Sequence, residues 1–431
     1  MGKKLTFAPL VAATYFMVAG GPYGLEELVR EAGYGGGIAI LLITPLFWSL
    51  PSALVVGELA SALPEEGGYY VWVRRALGPF WGFQEAWLSL CASVFDMAIY
   101  PTLFVLYLGR LWPAAASDNA AVAVGVGVVI LCAAMNLRGS RAVGRASEWL
   151  VLALLGPFVA LCALAWLGPG PAPAATGGRN DLVAGLLVAM WNFMGWDNAS
   201  TVAGEVERPQ RTYPLAVFAT LVLVVLTYLL PIVAASRSGL PAETWTTGAW
   251  VDAGRVLGGR PLAVAVVVGG MVCGLGMMDA LVMSYSRLPL VMAQEGYLPR
   301  ALARQLPGSG APWVAIVVLS LLWSLALGLG FERLIELDVI LYGLALLLQF
   351  GALVALRVRE PGLPRPFRVP GGLPVATLLG AGPAALLCLA LVRERQACAG
   401  QVHAVVLGVS LTLLGPLLYA AATWYRRRAS G

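Results

Sequence analysis

The chain has 431 residues, 59% of them hydrophobic and 12% charged, with a mean hydropathy of +0.80 and a formal net charge of +5. Soluble domains carry about 25% charged residues, so the composition excludes a soluble protein and points to a polytopic membrane protein. The positive charge needs no nucleic-acid partner: no basic patch is interleaved with exposed aromatics, and retention of Arg and Lys on the cytoplasmic side of a membrane accounts for it.

Windows of about 20 apolar residues predict twelve spans, near 6–32, 36–63, 80–111, 118–137, 146–168, 181–204, 212–235, 261–293, 312–330, 333–356, 373–393 and 402–424. Lys3 and Lys4 ahead of an apolar run have the look of a secretory signal. The run passes instead through a Gly-Pro break into Glu26-Glu27 and is followed by eleven more spans, so a cleaved leader is not expected. With the N-terminus inside, Lys3 and Lys4, Arg138, Arg141 and Arg145, Arg357, Arg359, Arg365 and Arg368, and Arg426 to Arg428 all fall on the inner side. Both termini are therefore expected in the cytoplasm of a multi-pass cell-membrane protein.

Two spans are interrupted. The first contains Gly20-Gly21-Pro22-Tyr23-Gly24, and the sixth contains Trp191-Asn192-Phe193-Met194-Gly195-Trp196-Asp197. A helix in lipid must satisfy its own backbone groups, so such residues at depth are tolerated only where unwound backbone faces a cavity. Matching breaks in two halves predict inverted repeats, roughly 6–168 and 181–356, with additional helices at 373–424, all in one membrane transport domain over 1–431. The fold class expected is thus all-α, a five-plus-five inverted repeat with helices 1 and 6 broken at mid-membrane. The long outer connection Ser236 to Arg260, with Trp245 and Trp250, is placed to act as a lid.

Acids at bilayer depth cost roughly 2.5–3.5 kcal/mol each on insertion scales and are functional candidates by default. Asp96 lies near the middle of the third span, Asp197 in the second break and Asp279 near the middle of the eighth, while Glu26 follows the first break. Basic residues are absent from that depth in these spans; Arg287 comes nearest. An acidic cavity without counter-ions calls for a bound cation or bound protons, so Asp96, Asp197 and Asp279 are candidates for ammonium binding and for proton coupling. Asp197 has a blander reading as a cap on a broken helix end.

Backbone N–H groups of Gly20, Gly21 and Gly24 at the start of a half-helix would hold a carboxylate or another acceptor. Gly270 and Gly274 are read as packing residues. Tyr15, Tyr23, Trp191, Phe193, Trp196, Tyr285 and Tyr342 are candidate cavity walls, and Trp191, one turn before Gly195, is the strongest. Cys91, Cys132, Cys162, Cys273 and Cys388 sit in apolar spans and only Cys398 in an outer loop, so no disulfide framework is expected. His403 reads as structural. No nucleophile triad, metal-ligand cluster or phosphate loop appears, which argues against an enzyme, a cofactor or a metal site.

These residues resemble the amino acid–polyamine–organocation (APC) superfamily, and most of all its polyamine uptake transporters. The likeness runs through Gly20 to Glu26, Pro64 to Val73, Ala76 to Gln84, Asp96 with Tyr100-Pro101, and Trp196-Asp197 on to Ala203 to Pro209. It implies a LeuT-type fold and a proton-coupled carrier of polyamines or related small amines. It also implies that the two breaks bind the substrate, with Trp191 as a gate; together with the acids and aromatics read above, the expected substrate site is Gly20, Gly21, Pro22, Tyr23, Gly24, Glu26, Asp96, Trp191, Asn192, Gly195, Trp196, Asp197, Asp279 and Tyr342. Gln349 stands where plant relatives often have Glu, no span-five lysine is present, and Trp112 to Asp118 lacks the cysteine through which heteromeric members join a partner subunit. The expected partners are therefore an amine or amino acid substrate, a coupling proton with sodium still open, and the lipid bilayer, with no disulfide-linked subunit. The rival readings are a permease or exchanger of cationic or neutral amino acids and, from another class, a channel or a transporter-derived sensor.

Overall fold

The computed structural model of the chain describes residues 4–168, 178–329, 331–397 and 404–430. Cys398 and His403 lie outside the described residues.

The chain enters through α1 (Phe7–Val18), leaves helical geometry, and resumes in α2 (Glu26–Thr44). Two residues between them, Gly21 and Gly24, have φ of +68° and +91°, a region open to glycine at little cost. Within α2, Gly33 at φ +68° and ψ 172° redirects the chain. A π-helical turn, Pro45–Ser49, then leads into α3 (Leu50–Ala62). Next come the short α4 (Tyr69–Leu77), the long α5 (Pro79–Gly109), α6 (Asp118–Asn136) and α7 (Ser140–Leu167).

The second half starts with α8 (Leu182–Asn192), capped by the Asp181 carboxylate, which accepts from the Ala184 amide at 3.0 Å. Residues 193–197 are non-helical, with Gly195 at φ +90°, and the chain re-forms as a 3-10 segment, Asn198–Glu205. There follow α9 (Pro209–Ala235), two 3-10 turns, α10 (Trp250–Tyr285), α11 (Arg287–Gln294), α12 (Trp313–Leu325) and α13 (Phe331–Arg359). The last helices are α14 (Gly372–Leu378), α15 (Ala381–Ala397) and α16 (Ala404–Ser430).

Among the described residues nine helical stretches are long and apolar enough to cross a membrane, and three shorter apolar helices, α1, α8 and α12, accompany them. No strand occurs among these residues, only the isolated bridges Leu5–Val206 and Gly20–Pro22. One predicted boundary moves: the eighth span, expected from 261, begins at Trp250, because Gly259 at φ +68° joins the end of the 236–260 connection to α10. The eleventh, expected at 373–393, is found at Gly372–Val392, with a turn at Leu379-Gly380 between α14 and α15.

Helices α5, α10 and α13 form the buried centre, α5 packing on both α10 and α13, with α1 and α7 against α10. Apolar side chains such as Trp149 and Leu167 on α7 and Leu325 on α12 point outward, 74%, 86% and 80% exposed, as suits a surface facing acyl chains rather than water.

Candidate functional site

The first break is held by its own neighbours. The Gly24 amide donates to Glu26 Oε2 at 2.7 Å, and Glu26 Oε1 accepts from the Gly248 amide at 3.0 Å and from the Tyr107 hydroxyl. The acceptor expected at the glycine amides is thus, for Gly24, a carboxylate of this chain. The Trp250 indole donates to the Pro22 carbonyl at 2.9 Å, and the Tyr23 hydroxyl to Val266 at 2.6 Å. Through Gly248 and Trp250 the 236–260 connection packs directly against this break. Gly20 is required for close approach, since a Cβ there would stand 2.2 Å from Cys273 Sγ.

The second break meets the first at Asn192, whose amide donates to the Gly24 carbonyl at 3.3 Å. Tyr228 donates to the Asn192 carbonyl at 2.6 Å, satisfying one of the acceptors that the end of α8 leaves open. Tyr342 receives the Gly195 amide at 3.0 Å and gives its own hydroxyl proton to Asp197 Oδ1 at 2.8 Å. Asp197 Oδ2 accepts from Gln349 Nε2 at 2.5 Å. The side chain of Asp197 makes no capping bond to the 3-10 segment that follows it. Its oxygens accept from Tyr342 and Gln349 on α13.

Between the breaks lies a small cavity. Of the sequence-derived candidates, Gly20, Tyr23, Asp96, Trp191, Asn192, Gly195 and Tyr342 line it. Gly21, Pro22, Gly24, Glu26, Trp196, Asp197 and Asp279 do not. Glu26 is taken up by the amides and hydroxyl just described. The Trp196 indole turns back to the Phe193 carbonyl at 2.8 Å. Asp197 is one hydrogen bond behind Tyr342. Asp279 faces α6, where Asn136 Nδ2 donates to its Oδ1 at 2.7 Å and to its carbonyl at 2.9 Å. The midpoint of a span did not imply the cavity face: helical phase turned Asp279 toward α6.

Sequence reasoning passed over a further acid in the wall, Asp338 on α13, 2% exposed and with Oδ1 unpartnered. The rule that singled out Asp96 applies to it equally, because 338 falls inside the predicted tenth span. Asp96 is already engaged: it accepts from the Tyr100 hydroxyl at Oδ1 and from Tyr285 at Oδ2, 3.2 Å away. Met17, Leu103, Met194 and Met277 supply apolar wall, while Tyr100, Asn198, Tyr228 and Tyr285 supply polar groups. No Lys, Arg or His lines this cavity among the described residues. Gly270 and Gly274 let α10 press against Tyr107 and Tyr100, where added Cβ atoms would come within 2.3 and 2.6 Å.

A buried cation meets the end of the 3-10 segment. Arg287, 1% exposed, pairs with Glu205 at 2.9 Å and reaches Glu66 at 4.0 Å, while Ser140 donates to Glu205. Glu205 and Glu207 flank the bridge to the N-terminal segment: Leu5 donates to the Glu205 carbonyl and accepts from the Glu207 amide, both at 2.8 Å. Burial pushes the Glu66 carboxyl above its ordinary range, Arg287 opposes that, and Glu205 adds to it.

A multi-pass helical membrane protein with an acidic cavity between two non-helical segments is the class these observations define. The amino acid permease family model matches residues 11–409, so the chain belongs to that family, within the APC superfamily. It is 36% identical over 406 residues to a probable polyamine transporter of Arabidopsis thaliana, covering 90% of this chain and 82% of the relative. A polyamine transporter of Oryza sativa subsp. japonica is 34% identical over 392 residues, 90% of this chain and 74% of the relative. An uncharacterized transporter of Mycobacterium tuberculosis is 30% identical over 310 residues, 68% and 67% of the two chains. Family and relatives support a transporter, with a small-molecule substrate and a membrane environment, and point away from an enzyme. Among the described residues Cys91, Cys132, Cys162, Cys273 and Cys388 are free thiols.

Proposed function

We propose that this chain is a secondary active transporter that carries a small polyamine or related cationic amine inward with protons. The observation that carries this reading is the cavity wall: Asp96 and Asp338 line one cavity that no basic side chain among the described residues lines. A carboxylate in a dry interior without a counter-charge is costly, and an ammonium group is the partner that removes the cost. The methionines and Leu103 suit the methylene chain between two ammonium groups, and Trp191 puts an aromatic side chain, a partner for such a group, in the same wall. The names of the relatives as polyamine transporters support the same substrate class.

The architecture that goes with this reading is twelve spans with both termini cytoplasmic, repeats over 6–168 and 181–356, and α14 to α16 outside them. Helix α1 and the part of α2 before Gly33 would form one broken span, and α8 with the 3-10 segment its counterpart. Rocking of the breaks around the cavity would expose it alternately to each side. Asp96 and Asp338 would face the amine, with Asp197 and Tyr342 close behind and Trp191 closing over it. Asp279, away from the cavity, would serve as a proton carrier or packing partner rather than as an amine ligand.

A carrier of amino acids is the second reading, favoured by the family description and by the Gly20 backbone in the cavity wall, where a substrate carboxylate would bind. Uptake of labelled putrescine and of labelled arginine or leucine into proteoliposomes, with and without an inward proton gradient, separates the two. Gradient-driven putrescine uptake is expected. Amino acid uptake that putrescine does not compete would replace this reading with the second.

A further inference from the structure

Behind the cavity stands a second polar cluster that the amine does not touch. Glu85 on α5 and Gln349 on α13 are both fully buried, at 0% exposure, and each has an oxygen without a hydrogen-bond partner, Oε2 of Glu85 and Oε1 of Gln349. The amide nitrogen of Gln349 donates to two carboxylates at once, to Glu85 Oε1 at 3.0 Å and to Asp197 Oδ2 at 2.5 Å. The titratable groups facing Glu85 are Asp197 across that amide and the Tyr69 hydroxyl on α4; Tyr342 on α13 stands beyond Asp197. No cationic side chain among the described residues reaches either acid.

Two carboxylates sharing one neutral amide in a dry interior do not both stay ionised without a positive partner. A metal cation would need the space between the acids, and there an N–H donor already points at both oxygens. A proton needs no such space, and once one acid is neutral the amide serves the remaining anion. We propose that Glu85 and Asp197, bridged by Gln349, form a proton site separate from the substrate cavity, and that the proton held there, taken up at Glu85, is the one coupled to transport. This rests on the proton-coupled reading above and names the residues that execute it.

The link to substrate runs through Tyr342. It lines the cavity, accepts from the Gly195 amide at the break, and donates to Asp197. An amine that pulls on Tyr342, or a break that straightens at Gly195, withdraws a hydrogen bond from Asp197 and so changes how tightly the pair holds its proton. Proton release and substrate movement thereby share one mobile element.

The test uses the full chain in proteoliposomes with the membrane potential clamped at zero and labelled putrescine as the probe, comparing wild type, E85Q and E85D. A gradient of one pH unit supports about tenfold accumulation for one coupled proton. Wild type and E85D are expected to accumulate, whereas E85Q falls to the level seen without a gradient yet keeps putrescine counterflow, which needs no net proton movement. Accumulation by E85Q equal to wild type overturns the site. So does accumulation that follows a sodium gradient, or the loss of both accumulation and counterflow in folded E85Q and E85D alike. A wild type that exchanges putrescine but ignores the proton gradient would refute the coupled reading itself, a result that does not depend on any Glu85 variant.

Discussion

Asp338→Asn isolates the charge of the cavity from its architecture. Asp338 is 2% exposed and its Oδ1 has no hydrogen-bond partner, so the isosteric amide removes a negative charge with little disturbance of its neighbours. Asp96→Asn is a less clean probe, since its two oxygens receive the hydroxyls of Tyr100 and Tyr285. A hydrogen bond between charged groups contributes about 1.5–3 kcal/mol. At 1.36 kcal/mol per decade that is about a 10- to 150-fold rise in the KM for putrescine. Counterflow measured over a range of putrescine concentrations gives the KM, and thermal unfolding in detergent, expected to be unchanged, shows that the fold is intact. A KM shift below about threefold, roughly 0.65 kcal/mol, would mean that the ammonium is not held at Asp338 and would refute the reasoning from the cavity wall.

Three further outcomes follow from the packing and the charges. Glu58 is fully buried and accepts from Arg357, from Val369 N at 2.7 Å, and from Arg365 at 3.2 Å, so Glu58→Ala should cost about 3–5 kcal/mol by stranding the guanidinium groups. The exposed Arg75–Glu360 pair is the control, and Arg75→Ala should lower the melting temperature far less, in line with about 0–1 kcal/mol. Gly195→Ala should abolish transport and folded yield, since φ is +90° and a Cβ would lie 2.1 Å from the Met17 carbonyl; Gly35→Ala, with nothing within 4 Å, should be neutral or slightly stabilising by size-exclusion yield. Finally, a carboxyl raised by folding binds more protons folded than unfolded, so stability from Glu66 is present at low pH and declines as pH rises through its ordinary range of about 4.5 and above. Glu66→Gln should flatten that part of the melting temperature against pH, and an unaltered slope would refute the burial argument.

Composition and periodicity determined that the chain is helical and built for lipid, because an apolar run of about 20 residues has no other stable solution. They also located both interruptions, since glycine and proline act on the backbone locally and need no knowledge of the neighbours: Gly21, Gly24 and Gly195 do take positive φ. Asp96 and Trp191 were legible for related reasons, an acid in an apolar run and a ring one turn from a break, and both line the cavity. Which face an acid presents was not legible. Asp96, Asp279 and Asp338 all sit inside apolar spans, yet only the packing of α5, α10 and α13 turns the first and third inward together and sends the second to Asn136.

Pairings between distant segments were equally hidden. Arg357 and Arg365 read as part of the cytoplasmic charge bias, whereas in the structure they close on Glu58, about 300 positions earlier in the chain. Gln349 read as the loss of an acid, yet its nitrogen lies between Glu85 and Asp197. One-dimensional patterns carry the cost of placing a residue in lipid, a property of that residue alone. The hydrogen bonds and ion pairs that offset the cost join groups whose separation along the chain has no bearing on their distance in space, and those were decided by the tertiary structure.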